Sequence, residues 1–113
     1  MKQYTTSEQT AKLIELGFRE PESKVDGKVI YEPDADLEIE WEKSYSIGEL
    51  IEMLPKDITN DALPDSFGVY TDHNKMWVVE YSNILGELYS TYRTELIDAL
   101  YDMVVKLKEE GEI

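Results

Sequence analysis

The sequence predicts an α+β fold: a small antiparallel sheet with three helices, in the order α-β-β-α-β-β-α, with the C-terminal helix packed on the sheet. Three patterns support this prediction. Apolar residues recur at helical spacing between Thr91 and Gly111, two other segments begin with helix-capping residues, and two β-rich runs flank a polar turn. The chain has 113 residues, a common size for one domain, so we expect a single globular unit over 1–113.

The stretch from Thr91 to Gly111 is predicted to be the core helix, because no other segment offers so much continuous apolar surface. Thr91 is a residue type that caps helix starts, and Gly111 can adopt the left-handed conformation that ends a helix. Lys106 and Lys108 suit the negative end of the helix dipole. The apolar stripe consists of Leu96, Leu100, Met103 and Leu107, with Ile97 and Val104 beside it.

Two shorter helices are predicted from capping boxes. In this motif, a Ser or Thr side chain and a Gln or Glu three residues later bind the free backbone N–H groups at a helix start. Thr6 and Gln9 have this spacing, and Gly17 is positioned to end the helix that they begin. Ser46 and Glu49 repeat the pattern, and a proline ends the second helix after about two turns.

Between these helices, Val29–Tyr31 is predicted as a short strand that follows a polar loop over Arg19–Lys28. The next segment alternates acidic residues with mostly apolar ones, and the alternation is strict from Leu37 to Trp41. This pattern is typical of a half-buried strand. Its acidic side fits a solvated face, or an edge protected against pairing with another chain. We call these acidic residues the acidic row: Glu32, Asp34, Asp36, Glu38, Glu40 and Glu42.

A β-hairpin is predicted from two β-rich runs, Phe67–Thr71 and Met76–Tyr81, joined by the polar turn Asp72–Lys75. Since the second run is apolar on both faces, we expect it to be an interior strand. Ser82–Ser90 is interpreted as a connection to the last helix. We expect Trp41, Trp77 and most of the eight tyrosines to pack in the hydrophobic core, and this role takes precedence over a role in an interface.

The charge of the chain excludes several classes of function. It has 25 acidic and 11 basic residues, a net charge of −14. Nucleic-acid binders and proteins that bind anionic membranes need basic surfaces, so we expect neither activity. An acidic surface favours solubility and basic protein partners. The sequence shows no signal-peptide pattern and no apolar run long enough to span a bilayer, so we expect a cytoplasmic protein.

Few residues offer catalytic or metal chemistry. The chain has no cysteine, its six glycines are scattered singly, and its one histidine, His73, falls in the predicted hairpin turn. These facts argue against a cysteine nucleophile, a phosphate-binding loop and a common zinc site. We therefore expect no cofactor and no catalytic residue.

The acidic row matches a calcium-binding EF-hand loop only in part. Asp34, Asp36 and Glu38 fit its first ligand positions. However, Ile39 stands where the loop needs glycine, and Tyr45 stands where it needs a bidentate acid. We therefore expect no specific metal site.

Three segments of the chain form a recognisable set: Thr6–Gln9 with Lys12–Gly17; Tyr45–Ile51 with Leu54–Lys56; and Leu96–Met103 with Lys106 and Leu107. In this order they resemble a family of small uncharacterised proteins encoded in phage and mobile-element genomes of gut anaerobic bacteria. The family has a tryptophan where this chain has Tyr45, and it brings no activity or residue role. The resemblance implies a phage-like, accessory protein.

The leading interpretation is a non-enzymatic protein-interaction or regulatory module. One alternative is a nucleic-acid mimic that uses the acidic row to block a basic DNA-binding protein. A second alternative is an enzyme that works with carboxylates alone. On the last helix, Tyr101 and Val105 widen the apolar arc, so either the first helix or a second copy of the chain could cover them. We expect a monomer or a weak homodimer.

Overall fold

The computed structural model describes residues 1–30, 38–56, 66–83 and 86–113, with side chains described outside 24–42. This part of the chain confirms the α+β class, with three helices and a three-stranded antiparallel sheet on which the C-terminal helix packs. In chain order the elements are α1 (Ser7–Glu15), β1 (Lys24–Ile30), β2 (Glu38–Lys43), α2 (Ile47–Met53), β3 (Ser66–Thr71), β4 (Trp77–Asn83), β5 (Gly86–Arg93) and α3 (Leu96–Glu109).

The three-stranded sheet has the order β3-β4-β5, so β4 is its central strand, as predicted from its two apolar faces. The predicted hairpin is confirmed, because β3 and β4 pair antiparallel with Val69 opposite Val79. Its turn is held by Asp72, whose Oδ1 accepts hydrogen bonds from the backbone N–H groups of Asn74 and Met76 at 2.9 and 3.0 Å. Lys75 has a φ of 61°, a left-handed conformation suited to a tight turn.

The predicted order of elements was wrong in one respect, because it lacked β5. Ser82–Ser90 is not a plain connection: β4 runs on to Asn83, and β5 returns from Gly86 to Arg93. Thr91 therefore lies in a strand and does not cap the last helix. α3 begins only at Leu96, and its N-cap residue, Glu95, makes no capping hydrogen bond through its side chain.

Within the described part of the chain, strands β1 and β2 form a separate antiparallel pair that is not hydrogen-bonded to the larger sheet. The predicted loop over Arg19–Lys28 was too long, because β1 begins at Lys24. The predicted acidic strand is found in part, as β2 over Glu38–Lys43. Residues 31–37 lie outside the described part of the chain.

The starts of α1 and α2 follow the predicted capping boxes. Thr6 and Gln9 bind each other's backbone N–H groups at 3.2 and 2.9 Å, and Ser46 and Glu49 do the same at 3.1 and 3.2 Å. Gly17, with a φ of 98°, ends α1 as predicted. Each such cap is worth about 1 kcal/mol of helix stability.

The helix α3 packs against β4 and β5 and also against α2, which explains its wide apolar arc. The side chains of Ile97 and Val104, beside the predicted stripe, are fully buried. The first helix contributes Leu13 to the same core. The fully buried core side chains include Leu13, Leu50, Val79, Tyr81, Ile97, Leu100, Met103, Val104 and Leu107.

The segment before α1 joins distant parts of the fold. The Lys2 ammonium lies 2.8 Å from the Asp98 carboxylate on α3, and the Lys2 backbone N–H donates to Glu95 at 3.0 Å. Gln9 on α1 also donates to Asp98, at 2.8 Å. The Thr5 backbone N–H donates to the carbonyl of Tyr45 at 2.9 Å. These bonds fix the N-terminal segment to α3 and to the entrance of α2.

Candidate interaction surface

The two faces of the three-stranded sheet have different surroundings. Trp77, Val79 and Tyr81, at odd positions of β4, pack in or against the core with α3. The alternate residues, Val78 and Glu80, therefore lie on the opposite side. We call that side the outer face and define it by Gly68, Tyr70, Val78, Glu80, Ser90 and Tyr92, which pair across the strands.

The first row of the outer face consists of two tyrosines with a valine between them. Val78 is directly opposite Tyr70 on β3 and Tyr92 on β5. The side chain of Val78 is fully buried, whereas Tyr70 and Tyr92 are 44% and 53% exposed. Since neighbouring strands are about 4.8 Å apart, the two tyrosine positions are separated by about 10 Å. Val78 is therefore covered, whereas the two tyrosine rings beside it remain partly open to solvent.

The second row consists of Gly68, Glu80 and Ser90, in which Glu80 faces both neighbours. A Cβ atom built on Gly68 would lie 4.0 Å from Glu80 Cγ and 4.0 Å from the Tyr70 ring, so the glycine leaves an open space beside the carboxylate. The Ser90 Oγ is buried and has no hydrogen-bond partner within the described residues. The Glu80 side chain thus lies between Gly68 and Ser90, and it interacts with the hydroxyl of Tyr70.

The outer face carries negative charge. Partial burial, a hydrogen bond to Glu80 and the charges of Glu80 and Glu87 raise the pKa of Tyr70. Among the residues of strands β3, β4 and β5, only Arg93, at the end of β5, is basic. Its Nε lies 3.2 Å from Asp102 Oδ2 on α3, so its charge is paired with a carboxylate on the core side of the sheet.

A second candidate is a cleft of about 260 Å³ between the end of α1 and α2. Phe18, Tyr45 and Met53 supply its apolar lining, and Glu49 supplies a carboxylate. However, Glu49 already accepts hydrogen bonds from Ser23 and from backbone N–H groups. Burial raises its pKa, but these hydrogen bonds outweigh burial and lower it overall. Glu49 therefore serves to hold α2 to the chain before β1.

A carboxyl with a raised pKa in a cleft would favour the enzyme alternative. Burial raises the pKa of Asp102, and the positive charge of Arg93 opposes this rise without cancelling it. Yet Asp102 lies on α3 and lines neither this cleft nor a more apolar one of about 420 Å³ around Leu54 and Phe67. Asp102 thus gives no support to the enzyme alternative.

The residues of the acidic row are only partly located by the structure. Glu32, Asp34 and Asp36 lie outside the described residues. The backbones of the other three are in β2, where they pair with β1, but their side chains are not among those described. The pairs are Glu38 with Ile30, Glu40 with Lys28, and Glu42 with Asp26.

Tyr101 and Val105, the predicted self-association residues, are half-buried and pack against the core. His73 is exposed in the turn between β3 and β4. Among the described residues, no group of three or more metal-binding side chains occurs, and no helix is long and apolar enough to cross a membrane.

The outer face was not predicted as a site, because its two rows depend on β5. With Tyr92 assigned to the last helix, nothing placed it beside Val78 and Tyr70. The available signal was the run Leu88–Arg93, which contains two tyrosines and a threonine after Gly86. Such residues favour strands.

No protein-family model matches the chain, and neither the curated proteins nor the solved structures provide a match.

Proposed function

We propose that this protein is a non-enzymatic interaction module that binds a partner protein through the outer face of its three-stranded sheet. The observation that supports this proposal is the row of Tyr70, Val78 and Tyr92, in which two tyrosines remain about half exposed over a buried valine. Tyrosine combines a rigid apolar ring with a polar hydroxyl group, and it is enriched in protein interfaces.

The size of this surface indicates a weak, reversible contact. Three strands of about six residues cover an area of about 300 Å², from the strand spacing and the rise per residue. Stable complexes bury about 800 Å² on each partner, so this face alone corresponds to a transient interface. Such a contact suits a regulatory protein, and a phage-like accessory role is part of this proposal.

The charge of the chain supports a basic partner. At a net charge of −14, an acidic partner would be repelled, whereas a basic partner would be attracted from a distance. The partner is therefore expected to present basic side chains toward the outer face, and its binding should weaken as salt is added.

The proposal can be tested by quantitative co-purification from cells of the source organism. The variant Tyr70→Ser/Tyr92→Ser removes both exposed rings of the outer face. The control is Tyr4→Ser, because Tyr4 is 37% exposed and lies at the bridge to Ser46, away from this sheet. Circular dichroism and thermal unfolding verify that both variants fold.

We expect at least one protein that the wild type and the Tyr4 variant capture equally, and that the double variant loses. Direct binding of that protein, after purification, should show the same dependence. A set of captured proteins that is unchanged in the double variant would contradict the proposal.

A further inference from the structure

We propose that the partner adds an extended segment to the free edge of β3, as a fourth strand of the sheet, and places an apolar side chain in the cleft between Phe67 and α2. This inference rests on the proposed function, since the added strand would extend the outer face, and it names the kind of segment that is bound. The bound segment is a stretch of the partner protein with alternating apolar side chains and basic residues at its ends.

The strand β3 has one edge without a hydrogen-bonded neighbour among the described residues. It pairs with β4 on its other side, and no backbone group of Ser66–Thr71 bonds to any other described element. Alternate residues of a strand direct their N–H and C=O groups to opposite edges, so about three of its six residues present backbone groups at the free edge. An extended segment of another protein can bind such groups as a further strand.

The edge of β3 lacks the features that protect sheet edges. Its residues, Ser66–Thr71, include no charged residue and no proline, and its register with β4 is unbroken. The opposite edge strand, β5, carries Glu87 and Arg93, and its register with β4 shifts next to Ser82. Charges and bulges at an edge hinder pairing with another chain. The partner segment is therefore expected at β3 and not at β5.

The side chain of Tyr70 leaves this edge clear. Its hydroxyl interacts with Glu80 on the neighbouring strand β4. Its ring lies beside Gly68, where an added Cβ atom would be 4.0 Å from the ring. The ring therefore leans along β3 and toward β4, away from the free edge. A strand added at that edge would place its outward side chains next to Tyr70 and so continue the outer face.

A cleft of about 420 Å³ adjoins the same strand on the core side. Phe67 lines it from the sheet, Ile51, Leu54 and Pro55 line it from α2 and the residue after it, and no described residue of β4 or β5 takes part. The hydroxyl of Tyr81 donates to the Pro55 carbonyl at 2.6 Å, which holds the end of α2 against this side of the sheet. Because β3 is the edge strand, the cleft borders the position of an added strand.

The free edge and the cleft together favour a strand with a large apolar side chain. Neighbouring strands are about 4.8 Å apart, and residues directly opposite each other place their side chains on the same face. A residue opposite Phe67 therefore directs its side chain toward the cleft, where a leucine would contact Ile51. Ile51 is 41% exposed, so this contact removes apolar surface from water. Backbone hydrogen bonds would supply affinity, and the cleft would supply specificity.

The experiment uses the full chain, labelled with ¹⁵N, and a peptide with blocked ends and the sequence Lys-Thr-Val-Thr-Leu-Thr-Lys. Valine and leucine share one face of the extended peptide, and the lysines suit the net charge of −14. Amide shifts are followed during titration. We expect the largest shifts on Ser66–Thr71 and on Ile51. Shifts that are largest on β5, or a β3 strand that does not respond, would overturn the inference.

Two peptides methylated on backbone nitrogens test strand pairing without changing the side chains. One is methylated at the valine and the leucine, and the other at the first two threonines. Because alternate N–H groups point to opposite edges, only one of these sets faces β3. That peptide should lose at least about tenfold in affinity, and the other should bind within about twofold of the unmodified peptide. Equal affinities of the two methylated peptides would contradict strand addition.

The cleft is tested with the variant Ile51→Ser. Its matched control is Ile14→Ser, since Ile14 on α1 is 40% exposed and Ile51 on α2 is 41% exposed. Ile51→Ser should weaken binding of the leucine peptide about threefold, whereas the control should change it by less than about 1.5-fold. A peptide with serine in place of leucine should not distinguish the two variants. Equal losses of the leucine peptide in both variants would show that its side chain does not enter the cleft.

The remaining outcomes separate this inference from the proposed function. If the β3 amides shift with protein concentration and no peptide, a second copy of the chain occupies the edge and the inference is wrong. If strand addition fails but Tyr70→Ser/Tyr92→Ser still loses its natural partner, the proposed function stands and the partner docks on the face alone. If that double variant keeps every partner, the proposed function fails whatever the peptides show.

Discussion

The hydroxyl of Thr91, in β5, donates a hydrogen bond of 2.7 Å to the backbone carbonyl of Ala99, in α3. Both residues are buried, and they lie on either side of the short connection that reverses the chain between the last strand and the last helix. The bond fixes the first turn of α3 to the sheet. It anchors the start of a helix whose N-cap residue, Glu95, makes no capping hydrogen bond with its side chain.

Replacing Thr91 with valine should test this bond, because valine has nearly the same shape but no hydroxyl. We expect the free energy of unfolding to fall by about 1 kcal/mol, the usual net value of a hydrogen bond. Urea denaturation measures this change. Thr94→Val is the control, since Thr94 is exposed and its replacement should alter stability by less than about 0.5 kcal/mol. Equal effects of the two changes would mean that the Thr91 bond contributes nothing.

The second prediction concerns pH. Burial raises the pKa of Asp98, but hydrogen bonds from Lys2 and Gln9 and the charges of Lys2 and Arg93 outweigh burial and lower it overall. A carboxyl whose pKa is lower in the folded chain stabilises the fold above its unfolded pKa of about 4. This stabilisation is lost as the pH falls through the folded pKa.

Asp98→Asn should therefore cost about 1 kcal/mol or less at pH 7, a value kept small because Lys2 is partly exposed. The difference from the wild type should shrink steadily below pH 4. Urea denaturation between pH 7 and pH 3 measures it. A difference that stays constant over this range would show that Asp98 acts through packing and not through its charge.

The third prediction concerns self-association. Tyr101 and Val105 are half-buried against the core, and α3 is covered by the sheet and by α2, so we expect a monomer. Val105→Glu should lower the free energy of unfolding by about 1 to 2 kcal/mol, because it places a charge in a partly buried position. Sedimentation velocity over a range of concentrations reports the oligomeric state. A dimer that Tyr101→Glu and Val105→Glu both dissociate would instead place a second copy on this surface.

The fourth prediction concerns the acidic row as a nucleic-acid mimic. A mimic should capture at least one basic DNA-binding protein with steep salt dependence. Neutral Asn or Gln at positions 34, 36, 38 and 40 should abolish that capture. Binding of purified DNA-binding proteins at low and high salt measures both effects. If the wild type and the neutralised chain behave alike, the row is a solvated strand surface.

The elements that could be predicted from sequence are those whose signals are local. Thr6 with Gln9 and Ser46 with Glu49 bind backbone groups within one turn, so their spacing alone locates both helix starts. Asp72 likewise binds N–H groups within four residues of itself. None of these contacts depends on how the rest of the chain is arranged.

The strand β5 and the outer face could not be predicted in this way. Thr91 is a good residue for a helix cap and also for a strand, and its actual bond is to Ala99 in a different element. Tyr92 becomes part of a site only through its position opposite Val78. Such pairings depend on the register between neighbouring strands, and the sequence pattern within a single strand does not determine that register.

The bonds from Lys2 and Gln9 to Asp98 join parts of the chain that are 96 and 89 residues apart. During synthesis, α1 therefore emerges long before the residue that anchors it, and a helix of nine residues is too short to persist alone in water. Closing so long a loop is also entropically costly, which slows folding. The first helix is expected to be among the last to become ordered, after α3 has docked on the sheet.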